Sequence, residues 1–122
     1  MNTTTTTTTT TTTHDFGYGL VPAHRHPNGG GWVADTATVA DTAYVGPNAR
    51  VFGKARVFED AWVFGKASVF GPARIYGSAR VFGSARIYGA AGVYDTAWVF
   101  GEATVCGSAR VHGEILSEGT RT

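Results

Sequence analysis

At 122 residues and a formal net charge of +1, the chain is the size of one domain, and its bulk charge points to no polyanionic or acidic partner. Its one cysteine, Cys106, excludes an intrachain disulfide and suits a reducing cytoplasm. Nothing near the start has an apolar run long enough for a signal peptide or a membrane span, so no membrane partner is expected.

In chain order, residues 1–15 read as a low-complexity leader, dominated by the unbroken threonines Thr3 to Thr13, which cannot form a packed core. Residues 16–32, with Pro22, Pro27 and Gly29-Gly30-Gly31, lie outside any period and read as an irregular N-terminal arm or cap. The arm holds His14 just before it and His24 and His26 within it.

Residues 33–116 repeat one six-residue phrase, Val-Phe-Gly-x-Ala-Arg with small variations. The first column is Val from Val33 to Val111 except at Ile75 and Ile87, and the fifth is Ala from Ala37 to Ala109, then Ile115. In extended chain these two columns share a face, so Val and Ala line an interior. Third positions are mostly Gly, with Asp and Pro among the rest, so each phrase is a short strand followed by a corner. A helical reading fails, because a glycine every six residues costs about 1 kcal/mol each against alanine. Residues 117–122 form a C-terminal tail, and Ile115-Leu116 are placed to plug that end.

This phrase resembles that of the hexapeptide-repeat left-handed parallel β-helix superfamily, over about two thirds of the chain. The resemblance implies an all-β fold of four to five triangular coils. Three phrases make one coil, so eighteen residues return the chain above itself by one strand spacing of about 4.8 Å. It also implies a parallel homotrimer.

Stacking by eighteen sorts the outward residues. Second positions give aromatic ladders Phe52-Phe70-Tyr88, Phe58-Tyr76-Tyr94 followed by His112, and Phe64-Phe82-Phe100. Sixth positions give Trp32-Arg50-Ser68-Arg86-Thr104 on one face, Thr38-Arg56-Arg74-Gly92-Arg110 on a second and Tyr44-Trp62-Arg80-Trp98-Leu116 on a third. The third face is an apolar strip larger than a soluble monomer usually shows to water, which calls for a partner copy to cover it.

Arginine pairs with phosphate through a planar fork of donors, and aromatic rings offer flat faces to a nucleobase. Candidate ligand-binding residues are therefore Arg50, Arg56, Arg74, Arg80, Arg86 and Arg110, with Trp62, Trp98, Tyr76 and Tyr94. The bland alternative for Trp62-Arg80-Trp98 is a self-satisfied cation–π ladder worth about 0.5–2 kcal/mol. Long nucleic acid is disfavoured, because Asp35, Asp41, Glu59, Asp60, Asp95, Glu102, Glu114 and Glu118 nearly cancel the arginines.

The expected function is a non-catalytic trimer, with neither cofactor nor metal, that sequesters a small phosphorylated or nucleotide-like molecule in its inter-subunit clefts. Residues 22–32 followed by this phrase look like small accessory proteins of phages and bacteria. That likeness implies a phage-encoded sponge for a host nucleotide immune signal, acting in the host cytoplasm. A purely structural scaffold is the second reading. Enzymes of the superfamily set two more: a coenzyme A-dependent acyltransferase, for which His112 is the only histidine in the repeats, and a zinc hydratase, for which His24 and His26 would need His14 or His112 as third ligand. Ice binding is set aside, since Thr38 and Thr104 are the only outward threonines of the repeats.

Overall fold

The computed structural model describes residues 12–17 and 19–122; the leader up to residue 11 lies outside them. Among the described residues the strands are, in chain order, β1 (Thr13–Asp15), β2 (Leu20–Arg25), β3 (Trp32–Ala34), β4 (Thr38–Val39), β5 (Tyr44–Val45), β6 (Arg50–Val51), β7 (Arg56–Val57), β8 (Trp62–Val63) and β9 (Ser68–Val69). They continue with β10 (Arg74–Ile75), β11 (Arg80–Val81), β12 (Arg86–Ile87), β13 (Gly92–Tyr94), β14 (Trp98–Val99), β15 (Thr104–Val105), β16 (Arg110–His112), β17 (Ile115–Leu116) and β18 (Thr120–Arg121). No helix long and apolar enough to cross a membrane occurs among them.

The strands stack into three sheets, each taking every third repeat strand. Sheet one runs β1-β2-β3-β6-β9-β12-β15-β18, sheet two β4-β7-β10-β13-β16 and sheet three β5-β8-β11-β14-β17. Pairing between coils is parallel and in register: Arg56 meets Arg74, Arg74 meets Gly92, and Trp62 meets Arg80, each pair eighteen residues apart. The result is a parallel β-solenoid of about five turns.

Hydrophobic alternation drives the winding. Val51, Val57, Val63 and the alanines beside them are fully buried in one continuous column, while the sixth-position residues that precede each valine face out. At the corners the chain turns through the left-handed region. Gly83 has φ 67°, and a Cβ there would sit 2.7 Å from the Gly101 amide nitrogen of the next coil, so only glycine fits. Glu59 and Asp95 adopt the same conformation at φ 60° and 58°, and the Glu59 carboxylate accepts a hydrogen bond from the Gly77 N–H at 2.8 Å.

Two expectations are corrected. The arm expected to be irregular contains β2, which pairs antiparallel with both β1 and β3, so these three strands form an antiparallel cap on sheet one. The cap extends an aromatic ladder, with Phe16 buried and stacked on Phe52 at 4.8 Å. It also covers β5, because Val45 N–H donates to the Asn28 carbonyl and Gly31 N–H to the Val45 carbonyl. An open sheet edge is thereby closed at two of the three sheets.

The second correction concerns the last coil. Trp98 pairs with Ile115, seventeen residues on, and Thr104 with Thr120, sixteen on. Ile115, expected inside, is 69% exposed, and Leu116, expected outside beneath Trp98, packs against the core. The corner at Gly113-Glu114 is one residue short, so Leu116 and not Ile115 stands on the core side. Arg121 then takes the place beneath Val105 and pairs with Glu114 at 3.1 Å.

Candidate anion-binding face

On sheet two each strand shows an arginine-column residue and, two positions on, a ring-column residue. Arg56, Arg74 and Arg110 are exposed along the first column. Phe58, Tyr76, Tyr94 and His112 form the second, stacked at 4.9, 5.0 and 5.0 Å with interplanar angles of 5°, 6° and 14°.

Gly92 interrupts the arginine column between Arg74 and Arg110. Its backbone is not in the left-handed region, and a Cβ would meet nothing closer than a ring carbon of Tyr94 at 3.9 Å, an ordinary contact. Neither turn nor packing calls for glycine here. Its missing side chain opens a notch of ≈ 190 Å³, walled by Arg74, Arg110, Tyr76 and Tyr94 and floored by Gly92 and Ala90.

The electrostatics of this face are unbalanced. Among the described residues, no ion pair joins Arg56, Arg74 or Arg110 to a carboxylate; the pairs present are His24–Asp35 and Arg121–Glu114. Arg56 and Arg74 lie directly opposite one another in register on adjacent strands, an arrangement of like charges that is unfavourable. The acids are sorted away from it. Asp41, Glu59, Asp60, Asp95 and Glu114 fall on the corner between sheets two and three, whereas the corner between sheets one and two carries Lys54 and, at the top, Asp35.

The other predicted ligand residues are spoken for. On sheet three the Arg80 guanidinium lies 5.4 Å from the ring centre of Trp62 and 5.4 Å from that of Trp98, the self-satisfied cation–π ladder. On sheet one Arg50 donates to Ser68 Oγ at 3.1 Å and to the Phe16 carbonyl at 3.4 Å, which ties the cap to the stack. Arg86 borders a separate hollow with Ser84, Thr104 and Glu102, whose carboxylate disfavours an anion. The ten residues singled out in the sequence thus divide: Arg56, Arg74, Arg110, Tyr76 and Tyr94 come together on sheet two, and Arg50, Arg80, Arg86, Trp62 and Trp98 do not join them.

The arm histidines are engaged locally. His24 Nδ1 lies 2.7 Å from Asp35, His26 is buried with Nε2 2.8 Å from the Ala43 carbonyl, and His14 stacks on Trp32 at 4.4 Å. Among the described residues no three His, Cys, Asp or Glu side chains gather as a metal site. Elsewhere, the hydrogen bond with Cys106 holds the Tyr88 phenol above its ordinary pKa, and the one with Arg121 holds Glu114 below the usual carboxylate value.

Two residues of the face were not singled out as ligand-binding by the sequence: Gly92, placed in the sixth column but carrying no side chain, and Lys54, a corner residue with no periodic signal.

A family model described as YdcK Beta solenoid repeat matches residues 73–89, a stretch spanning Arg74, Tyr76 and Arg80. No curated protein and no solved structure matches the chain. Matched stretch and stacked parallel coils agree: the chain is a β-solenoid repeat protein.

Proposed function

We propose that the chain is a left-handed hexapeptide β-helix of triangular coils that assembles as a parallel homotrimer and sequesters, without converting, a small phosphorylated or nucleotide-like anion on sheet two. The observation that carries this reading is Gly92, a strand glycine that the backbone does not require, set between two exposed arginines without acidic partners. Two guanidinium forks and two phenol groups around one notch form a donor set suited to phosphate oxygens. Support for the trimer comes from sheet three, where Trp62 and Trp98 remain 42% and 39% exposed beside Phe64 and Phe82. Covering that strip against a threefold axis places the sheet-two arginines along the clefts between subunits.

The test is a thermal-shift screen of the full chain against nucleotides, cyclic dinucleotides and coenzyme A, run beside Gly92→Arg. A melting shift with one phosphorylated class, lost in Gly92→Arg, supports the binder. A shift confined to coenzyme A and sensitive to His112→Ala would move the chain to the acyltransferases. No shift with any of them leaves a scaffold, the reading that the Trp62-Arg80-Trp98 ladder favours, since it satisfies its own cation.

A further inference from the structure

We propose that the anion held on sheet two is a run of two or more linked phosphates lying along Arg110, Arg74, Arg56 and Lys54, and that its recognition needs no nucleobase. This deepens the binding reading above and rests on it.

The first observation is that Arg74 belongs to two hollows at once. On one side it walls the Gly92 notch; on the other it borders a second hollow of ≈ 320 Å³ with Lys54, Arg56 and Pro72. The two form one cationic track climbing the sheet-two edge, with Arg56 and Arg110 three rungs apart, about 14 Å at the usual strand spacing. One phosphate cannot engage both ends of such a track. A chain of linked phosphates can, with Arg74 shared between successive groups.

The second observation concerns the rings. Tyr76 has Phe58 against one face at 4.9 Å and Tyr94 against the other at 5.0 Å; Tyr94 in turn has His112 at 5.0 Å. A base entering between them would have to force apart strands joined in register on both sides. The tyrosines therefore offer the track their edges and hydroxyls, which hydrogen-bond phosphate oxygens, and not the flat faces a base would stack on.

Charge sorting is the third. Between Asp35 at the top and the last coil, the corner beside the track has Lys54, Pro72, Ala90 and Ser108 in its fourth column, and no carboxylate. Asp41, Glu59, Asp60, Asp95 and Glu114 lie on the far side of the tyrosine ladder. Local potential, not net charge, governs a compact polyanion.

Titration calorimetry of the full chain with orthophosphate, pyrophosphate, tripolyphosphate, AMP and ATP tests this. Tripolyphosphate is expected to bind at least about tenfold more tightly than orthophosphate, with a steeper fall in affinity as salt rises, because more counterions are released. ATP is expected to match tripolyphosphate, and AMP to match orthophosphate. Replacing Lys54→Gln with Arg56→Gln should remove most of the tripolyphosphate advantage over orthophosphate; Arg56→Gln alone repeats the test should the double variant fold poorly. Equal affinity for orthophosphate and tripolyphosphate, an unaffected double variant, or ATP binding well above tripolyphosphate would each overturn the inference. In those cases sensitivity to Gly92→Arg still keeps the sheet-two site standing. Failure of every phosphate to bind would remove both.

Discussion

Sheets two and three are built from the same kind of short strand, with valine and alanine facing in and a ring ladder facing out, yet they present opposite surfaces. On sheet three the sixth column runs Tyr44, Trp62, Arg80, Trp98, so the one cation is sandwiched at 5.4 Å on both sides and the face is apolar and closed. On sheet two the column runs Thr38, Arg56, Arg74, Gly92, Arg110, so like charges adjoin and one rung is empty. A solenoid fixes where each side chain stands and leaves its chemistry free. One column of five residues separates an apolar face from a cationic one.

The comparison breaks most visibly through the tryptophans. Trp62→Glu combined with Trp98→Glu should convert the proposed trimer to monomer in analytical ultracentrifugation, since burying each ring contributes roughly 1.5–3 kcal/mol. Circular dichroism should report an intact β-solenoid, because both side chains point away from the core.

Glycines on the two kinds of position should part next. Gly83→Ala forces φ 67° on a residue with a Cβ that meets the Gly101 nitrogen at 2.7 Å, and should destabilise by about 2 kcal/mol in chemical denaturation. Gly92→Ala should hold stability level or raise it by about 0.5 kcal/mol, as expected of a strand glycine with room beside it. Equal costs would mean that Gly92 is a folding residue and the notch incidental.

Arginines on the two faces give the smaller effects. Arg74→Gln should weaken phosphate binding about tenfold, roughly 1.4 kcal/mol, with little change in melting. Arg80→Gln should do the reverse, leaving binding alone and lowering stability by about 0.5–1 kcal/mol through loss of the cation–π contacts. If both substitutions acted alike on binding, the division of labour between the faces would be wrong.

Much of this was legible beforehand because a period of six sets the inward columns and the resemblance to hexapeptide β-helices implies three phrases to a coil. The eighteen-residue rungs Arg56-Arg74-Gly92 and Trp62-Arg80-Trp98 stand where counting put them. Counting failed at the last corner. In Ile115-Leu116 two adjacent apolar residues are equally able to face in, and the structure packs the one that shortens the step against the core. The cap was misread for a related reason: β2 carries Pro22 and no repeat, and it becomes a strand by pairing with β1 and β3.

The sequence by itself determined the inner and outer columns, since valines and alanines two apart in extended chain share a face, and the family resemblance implied the eighteen-residue ladders. Only the tertiary structure decided which arginines are free. Whether a guanidinium is sandwiched, tied to a hydroxyl or left beside an empty rung depends on the coil above and below it, and those neighbours lie eighteen residues away along the chain.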